Sequence, residues 1–328
     1  MHRETKTITG QALANLRRAI YTEMGLKSPK DSSSSYFEQK VIEACEDLGF
    51  GDSRKCDEWM MSGKLDRKSI EVLASHLTVG ETYFFRDRKA LEVLRRSVLA
   101  SLIQMRRNSS RTLRLWSAGC STGEEPYTLA MMLMGMLPDW QKWHITILAT
   151  DININFLAKA ARGCYGEWSF RETPSAIRER FFRKTSDGKY EIHSRVRDMV
   201  NFSYLNLATD AYPSVLNNTN AMDLILCRNV LMYFEKDRAR EVINKFHRSL
   251  LDGGYLLVSP VESSNRHFPQ FKPVLFDGVT IYRLEMKSTV QTASPAKPPI
   301  AAKVNRSIPG TIEKVTKNSL DKSRHLSV

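Results

Sequence analysis

A glycine-containing turn follows the short apolar run at residues 113–117 and is the segment best suited to chemistry. Gly119 and Gly123 would let the backbone approach a ligand closely, and a helix starting after them offers unpaired N–H donors. The G-x-x-x-G spacing is not that of a dinucleotide site, and no GK[ST] sequence follows as in a phosphate loop. Glu124 and Glu125 would repel a pyrophosphate. The turn suits a ligand with positive charge and hydroxyl groups, although a purely structural turn would have a similar sequence.

A second acid, Asp151, ends the next apolar run, 26 residues after Glu125. In nucleotide-binding sheets a carboxylate at such a position binds ribose hydroxyls, whereas the alternative role for Asp151 is to cap the next helix. Together these features favour S-adenosylmethionine, which carries adenine, ribose, an amino acid and a sulfonium cation but no phosphate. We predict it as the cofactor. The seven histidines lack metal-site spacing, and the five cysteines form no paired knuckle, so we predict no metal and reduced thiols.

The elements that position these residues change character along the chain. Apolar residues at three- and four-residue steps predict helices over 11–24, 37–48 and 65–76. From about residue 111, apolar strands alternate with helices, which predicts an α/β fold with a doubly wound, mostly parallel sheet. Residues 165–202 interrupt this alternation, and we expect a small inserted β-rich lobe with Trp168 as an anchor. The predicted domains are an all-helical N-terminal domain over 1–90, a sheet domain over 91–286 and a basic disordered tail over 287–328.

Composition narrows the class of protein. The chain has 328 residues, of which 42% are hydrophobic and 26% charged, as in soluble globular proteins. The longest apolar run, 129–134, is far shorter than the ~20 residues that span a bilayer, and no signal peptide opens the chain, so we expect a cytoplasmic protein. The net charge is +13, and residues 287–328 hold eight Lys or Arg against two acids. We expect no nucleic-acid partner, because no recognition motif accompanies the charge, and a weak attraction of the tail to an anionic membrane surface.

Several separated segments give the sequence a specific resemblance. It resembles the CheR family, the chemotaxis receptor glutamate O-methyltransferases, over about residues 10 to 286. The matching segments are 82–87 (TYFFRD), 117–127 (SAGCSTGEEPY), 149–152 (ATDI) and 227–234 (CRNVLMYF), with the pair Asn206-Leu207 between the last two. The resemblance implies methylation of glutamates on the cytoplasmic helical bundle of a methyl-accepting chemotaxis receptor, by a monomer. A C-terminal tether peptide of the receptor is a further ligand that the inserted lobe would take.

The resemblance also implies roles for individual residues. Arg86 and Tyr233 would be catalytic, with Arg86 holding a carboxylate and Tyr233 near the reactive methyl. Thr82 would lie beside the methionine part of the cofactor, and Asp151 would bind its ribose. The implied cofactor-binding residues are Gly80, Thr82, Arg86, Ala118, Gly119, Glu124, Glu125, Asp151, Asn206, Leu207, Arg228 and Asn229.

This chemistry needs no general base, because a glutamate side chain is ionised at neutral pH, with an ordinary pKa of about 4.3. Its carboxylate can attack the methyl directly, so the enzyme mainly has to align the two groups and exclude water. Two departures from the family keep other functions open. Gly80 replaces the asparagine usual there, and the helix over 37–48 carries Lys40 with three acids rather than many arginines. The alternatives are methylation of a non-chemotaxis target and a catalytically silent regulator that senses the cofactor.

Overall fold

The N-terminal part of the computed structural model is a cluster of four helices. The model describes residues 8–27, 34–263 and 268–285, and the predicted tail beyond residue 286 lies outside them. The helices are α1 (Gly10–Met24), α2 (Ser34–Asp47), α3 (Ser53–Ser62) and α4 (Arg67–Leu77). Side chains of Thr9, Asp52 and Asp66 cap the starts of α1, α3 and α4 by accepting backbone N–H bonds. These helices bury a hydrophobic core of their own.

Two cysteines of this helical cluster form a disulfide. Cys45 in α2 and Cys56 in α3 are bonded, with their Cα atoms 5.9 Å apart. Cys120, Cys164 and Cys227 are free thiols. The expectation that all five cysteines are reduced is therefore wrong for the first two, because the fold of the helical cluster brings their side chains together.

A continuous helical segment connects this cluster to the sheet. It consists of α5 (Arg88–Val93), a π-helical stretch (Leu94–Leu99) and α6 (Ala100–Arg107). Asp87 caps its start and accepts a hydrogen bond from the N–H of Ala90. Leu94, Val98 and Leu99 are buried, so this segment packs firmly onto the sheet.

The central sheet has seven strands in the order β6-β2-β1-β7-β8-β10-β9. Its strands are β1 (Thr112–Ala118), β2 (His144–Asp151), β6 (Val200–Tyr204), β7 (Met222–Cys227), β8 (Leu250–Val258), β9 (Lys272–Phe276) and β10 (Val279–Arg283). The first five in spatial order pair in parallel, whereas β10 pairs antiparallel with both β8 and β9. The predicted mostly parallel sheet is confirmed. Beside β1 the strand order reverses direction, which is where open α/β sheets bind ligands.

Helices cover both faces of this sheet. The helices are α7 (Glu124–Met136), α8 (Ile154–Arg162) and α11 (Lys236–Ser249). Side chains along β1 alternate between the faces: Leu115 packs in the core beside α7, and Trp116 packs in the core beside α11. This two-sided burial confirms the doubly wound fold. In the described part of the chain, no helix is long and apolar enough to cross a membrane.

The inserted lobe is a small antiparallel sheet with the order β3-β5-β4. Its elements are β3 (Cys164–Tyr165), α9 (Ser175–Phe181), β4 (Phe182–Lys184), β5 (Tyr190–Ile192) and α10 (Ser194–Arg197). The lobe ends earlier than predicted, because residues from Val200 pair with β2 as an edge strand of the main sheet. Trp168 is 70% exposed, so its expected anchoring role is wrong. Buried rings of Phe84, Tyr165 and Phe170 anchor the lobe instead.

Candidate active site

The glycine turn lies at the end of β1, at the switch point of the sheet. Gly119 and Gly123 have φ values of +80° and +95°, which favour glycine. The N–H groups of Gly119 and Cys120 donate to the carbonyl of Thr150, at 2.8 and 2.9 Å, and so tie the turn to β2. A Cβ atom at Gly119 would lie 2.4 Å from Val230. The turn is thus fixed on both sides and borders a cleft between the sheet and the N-terminal helices.

Asp151 stands at the carboxyl end of β2 and lines this cleft. Its carboxylate accepts the N–H of Ser121 at 2.8 Å and the N–H of Asn153 at 2.9 Å. Burial raises the pKa of Asp151, and the backbone donors partly offset this effect. The carboxylate therefore has a fixed orientation beside the glycine turn.

Glu124 and Glu125 point to different places, although they are adjacent. Glu125 lines the cleft, accepts a hydrogen bond from Ser117 at 2.7 Å and pairs with Arg228 at 3.2 Å. Glu124 lies outside the cleft lining and accepts hydrogen bonds from Thr122 and Ser169. Burial raises the pKa of Glu124. The structure therefore places Glu125 at the cleft and uses Glu124 to connect α7 to the lobe.

Arg228, directly after β7, joins three parts of the site. Its guanidinium donates to the main-chain carbonyl of Arg86 at 2.8 Å and forms ion pairs with Glu125 at 3.2 Å and Asp87 at 3.4 Å. The side chain is 4% exposed. Such a buried cation is stable only because two carboxylates neutralise it. Arg228 thereby holds the start of α5 against the glycine turn.

The guanidinium of Arg86 lies in the cleft with a different set of neighbours. It donates to the carbonyl of Glu81 at 2.6 Å and lies over the ring of Tyr83. Within the described ranges, no carboxylate lies within ion-pair distance of it. Arg86 is thus a cation of the cleft that has no carboxylate partner among the described residues.

One buried carboxylate, which no sequence pattern singled out, organises the loop from Arg228 to Tyr233. Glu262 accepts the N–H groups of Asn229, Val230 and Met232 at 2.8 to 3.1 Å, together with the N–H and hydroxyl of Ser259. Asn229 has a φ of +57°. The main chain of Tyr233 accepts a 2.8 Å bond from the N–H of Lys27, so the loop is also attached to the segment after α1.

Asn206 and Gly80 both contact other parts of the protein, so neither serves only as a contact for a ligand. The amide of Asn206 donates to the carbonyl of Glu23 at 2.6 Å, and its side-chain oxygen accepts the N–H of Ala208. Asn206 therefore fastens the end of α1 to the sheet while lining the cleft. At Gly80 a Cβ atom would lie 2.6 Å from the ring of Phe156, which itself lines the cleft. The Phe156 ring occupies the space where a longer side chain at residue 80 would lie.

Most of the residues proposed from the sequence meet in this one cleft. Those that line it are Thr82, Arg86, Gly119, Glu125, Asp151, Asn206, Leu207, Arg228, Asn229 and Tyr233. Gly80, Ala118 and Glu124 do not line it. The apolar wall formed by Leu26, Val79, Ile152, Phe156 and Phe234 was not predicted. Val79, Ile152 and Phe234 directly adjoin the proposed residues Gly80, Asp151 and Tyr233, whereas Leu26 and Phe156 adjoin none of them.

The cleft fits S-adenosylmethionine in its donors and its charge. Two carboxylates, Glu125 and Asp151, and the apolar side chains of Ile152, Phe156 and Leu207 suit a cation with ribose hydroxyls and an adenine ring. Because Val230 lies so close to Gly119, there is no room for a side chain at residue 119, and the turn presents its backbone. Over the described ranges, no group of three or more His, Cys, Asp or Glu side chains could hold a metal ion.

A doubly wound sheet with this turn and these carboxylates defines the class of the protein, an S-adenosylmethionine-dependent methyltransferase. Residues 80–276 match the family model of the CheR methyltransferase, SAM binding domain. The chain therefore belongs to the CheR methyltransferase family.

Curated relatives extend this likeness over most of the chain. A chemotaxis protein methyltransferase of Borreliella burgdorferi is 29% identical over 82% of this chain and 94% of its own length. Chemotaxis protein methyltransferase 2 of Vibrio cholerae is 32% identical over 79% of this chain and 88% of its own. Chemotaxis protein methyltransferase 1 of Pseudomonas aeruginosa is 34% identical over 65% of this chain and 77% of its own.

Proposed function

We propose that this enzyme methylates glutamate carboxylates on the cytoplasmic helical bundle of methyl-accepting chemotaxis receptors, as a step of sensory adaptation. The observation that carries the proposal is the composition of the cleft. It holds Arg86, a cation without a carboxylate partner in the described ranges, and neither histidine nor lysine is among the residues that line it. The names of the relatives support a chemotaxis role, and a receptor of this kind places the enzyme in the cytoplasm.

The groups of the cleft that could accept a proton are already engaged. Glu125 is paired with Arg228, Asp151 accepts two backbone N–H bonds, and Glu81 is paired with Arg171. Cys120 is buried, and burial raises the pKa of its thiol well above the usual value. An acceptor that must lose a proton would find no free base here. A carboxylate needs none, because it is already anionic at neutral pH.

The proposed reaction is a direct displacement. S-Adenosylmethionine supplies a methyl group on a positively charged sulfur. A carboxylate oxygen of the acceptor forms the new C–O bond as the methyl–sulfur bond breaks, and no proton moves. Because an anion and a cation become neutral products, a cleft with apolar walls that excludes water favours the reaction. Arg86 orients a carboxylate with its paired donors, Asp151 binds the ribose, and Tyr233 lies beside the methyl.

The finer partner assignments also belong to this proposal. The lobe sheet has β3 and β4 as its edges, and an extended receptor tether could add a strand to either one. The enzyme acts as a monomer, and the basic residues 287–328 add attraction to the membrane face that carries the receptors. Unchanged membrane association after deletion of residues 287–328 would contradict the proposed attraction of these residues to the membrane, and no other part of the proposal.

Transfer of a labelled methyl group from S-adenosylmethionine to membranes that contain the organism's own chemoreceptors tests the main proposal. We expect label on the receptors that mild alkali releases, since carboxyl methyl esters are alkali-labile. Arg86→Ala should lower the transfer rate at least tenfold while the protein stays folded. Label that resists alkali, or label on other molecules only, would contradict the proposal. Cofactor binding without any transfer would instead favour a silent regulator.

A further inference from the structure

A second concave surface borders α5 and shares Leu91 with the cofactor cleft. We call it the methionine groove. Its volume is about 810 Å³, and its apolar lining comes from Phe85, Met131, Met132, Met136 and Ile177. Met131 and Met132 are buried and form its floor, whereas Phe85, Met136 and Ile177 are partly exposed. Methionine side chains adapt their shape to what they contact, which is common at surfaces that bind helices. The groove therefore offers an apolar seat between α5, the end of α7 and helix α9 of the lobe.

The methionine groove is adjacent to the active site. Leu91 lines both the groove and the cofactor cleft. Phe85 of the groove precedes Arg86 of the cleft, and Asp87, which pairs with Arg228, precedes Arg88 of the groove. A macromolecule that occupies the groove would lie next to the place where its own side chain has to enter the cleft.

The charges on the groove have one dominant sign. Arg88, Lys89, Arg95, Arg96 and Arg180 line it, against the single carboxylate of Glu92.

Two of these cations share one carboxylate. Arg95 and Arg96 both pair with Glu92, and its hydrogen bonds with them lower the pKa of that carboxyl to about 2. For the exposed Arg88 and Lys89, the described part of the chain supplies no carboxylate within ion-pair distance. Positive charge on the groove is therefore available to an outside anion.

Gly135 supplies an independent observation. It lies in the last turn of α7, it is exposed, and it lines the groove. Its backbone is outside the left-handed region, and a Cβ atom there would meet nothing within 4 Å. Glycine in a helix is less favourable than alanine, yet nothing in the described structure requires it here. Gly135 therefore leaves room for a partner to approach the helix closely.

We propose that the methionine groove binds an acidic amphipathic helix of the protein substrate, whose apolar face covers the methionines and whose carboxylates meet Arg88 and Lys89. This inference rests on the proposed function, because it takes the substrate to be a helical protein. The groove is concave, which suits a helix better than a flat bilayer. Residues 287–328 and a second copy of the groove are both basic and would be repelled.

Steady-state methylation of the purified cytoplasmic fragment of the organism's chemoreceptor tests the groove. Arg88→Glu with Lys89→Glu should raise KM for the fragment at least tenfold, with kcat within about twofold and the Kd for S-adenosylhomocysteine unchanged. Acids in the first turn of α5 favour the helix, so this variant should fold. Gly135→Trp fills the groove without reversing charge and should also raise KM, and Gly135→Ala should raise it less. The matched charge control is Arg54→Glu with Lys55→Glu on the exposed face of α3, which should leave KM unchanged.

Each outcome separates this inference from the proposed function. If the wild-type enzyme does not methylate the fragment, the proposed function fails. If the wild-type enzyme methylates it and the groove variants keep the wild-type KM, the groove proposal alone is overturned. An equal rise in KM for the α3 control would show a general charge effect and would overturn it too. Loss of binding to anionic phospholipid vesicles in the groove variants, with KM unchanged, would assign the surface to a membrane instead.

Discussion

The guanidinium of Arg228 donates a 2.8 Å hydrogen bond to the main-chain carbonyl of Arg86, across 142 residues of sequence. The same guanidinium pairs with Asp87 and Glu125. One side chain thereby sets the distance between the segment that carries Arg86 and the helix that starts at the glycine turn. The orientation of Arg86, which has no carboxylate partner among the described residues, thus depends on Arg228, which has two.

Replacement of Arg228 should separate positioning from simple charge. Arg228→Lys keeps the charge but replaces the planar fork that reaches all three partners with one compact ammonium group, so we expect methyl transfer to fall at least tenfold with a small loss of stability. Arg228→Ala leaves two carboxylates without their cation and should lower the free energy of unfolding by about 3–5 kcal/mol. Transfer assays and denaturant unfolding check both values. Full activity in the lysine variant would contradict the positioning role.

Glu262 should control the loop that carries Asn229 and Tyr233. Every bond that Glu262 accepts comes from an N–H or O–H donor, so Glu262→Gln places an amide donor against other donors. We expect the free energy of unfolding to fall by about 1–3 kcal/mol and the Kd for S-adenosylhomocysteine to rise. Calorimetry and chemical denaturation measure the two effects. Glu241→Gln, on the exposed surface of α11, is the control and should behave like the wild type in both.

Glu124 should make stability depend on pH in a defined direction. Burial raises its pKa above the ordinary 4.5, so the folded protein holds this proton more tightly than the unfolded chain does. Its contribution to stability is complete below about pH 4.5 and is lost as the pH rises through the folded pKa.

Glu124→Gln removes this titration and can keep both hydroxyl contacts. Relative to the wild type, it should therefore gain stability between pH 4 and pH 7, on the order of 1 kcal/mol per unit of pKa shift. Urea unfolding at several pH values measures the difference, with the exposed Glu58→Gln as control. A difference that does not change with pH would refute this account.

The disulfide between Cys45 and Cys56 determines how many cysteines can react with a thiol reagent. Unfolded under non-reducing conditions, the protein should react with a thiol reagent at Cys120, Cys164 and Cys227 only, and after reduction at all five cysteines. Closure of a short loop between Cys45 and Cys56 also stabilises the folded chain, by roughly 2–4 kcal/mol for typical disulfides. Mass spectrometry of the alkylated protein distinguishes three labels from five. Five labels before reduction would show that the bond does not form.

We expect glycine to be required at residue 80 because the Phe156 ring leaves no room for a side chain, and not because Gly80 contacts the cofactor. A Cβ atom at residue 80 would force the Phe156 ring away from its place in the cleft wall. Gly80→Ala should therefore raise the Kd for S-adenosylhomocysteine severalfold, and adding Phe156→Ala should relieve the clash without restoring the lost wall. Gly51→Ala, whose Cβ atom meets open space, is the control. An unchanged Kd for Gly80→Ala would mean that the ring moves aside without cost.

The sheet and the glycine turn could be predicted because their signals are local. The alternation of Leu115 and Trp116 between two cores, and the acid that ends β2, depend on neighbours in sequence. Strand β9 was not predicted, since Pro273 interrupts its pattern and fits only an edge strand. Helix α3 was missed because few of its side chains are apolar, and only Cys56 and Met60 of them are buried.

Site residues could be predicted where they lie at the edge of the sheet. They could not be predicted where their role depends on a contact with a residue far away in the sequence. Asp151 follows from its strand. The bond between Asn206 and the carbonyl of Glu23 depends on where α1 packs, which no local pattern encodes. The same holds for Phe156 beside Gly80 and for Glu262 beneath the loop. Which of two adjacent acids faces the cleft, Glu124 or Glu125, was decided by the placement of Ser169 in the lobe.

The attachment of the segment after α1 to the loop from Arg228 to Tyr233 bears on the order in which the molecule folds. Leu26 pairs with Phe234, and Lys27 bonds to Met232 and Tyr233 more than 200 residues away. Contacts between such distant residues form late, because the intervening chain must already be compact before they can close. The sheet and its helices could thus acquire native structure before a complete cleft exists. Catalytic competence would then be the last property that a refolding chain regains, and also the first that local unfolding removes.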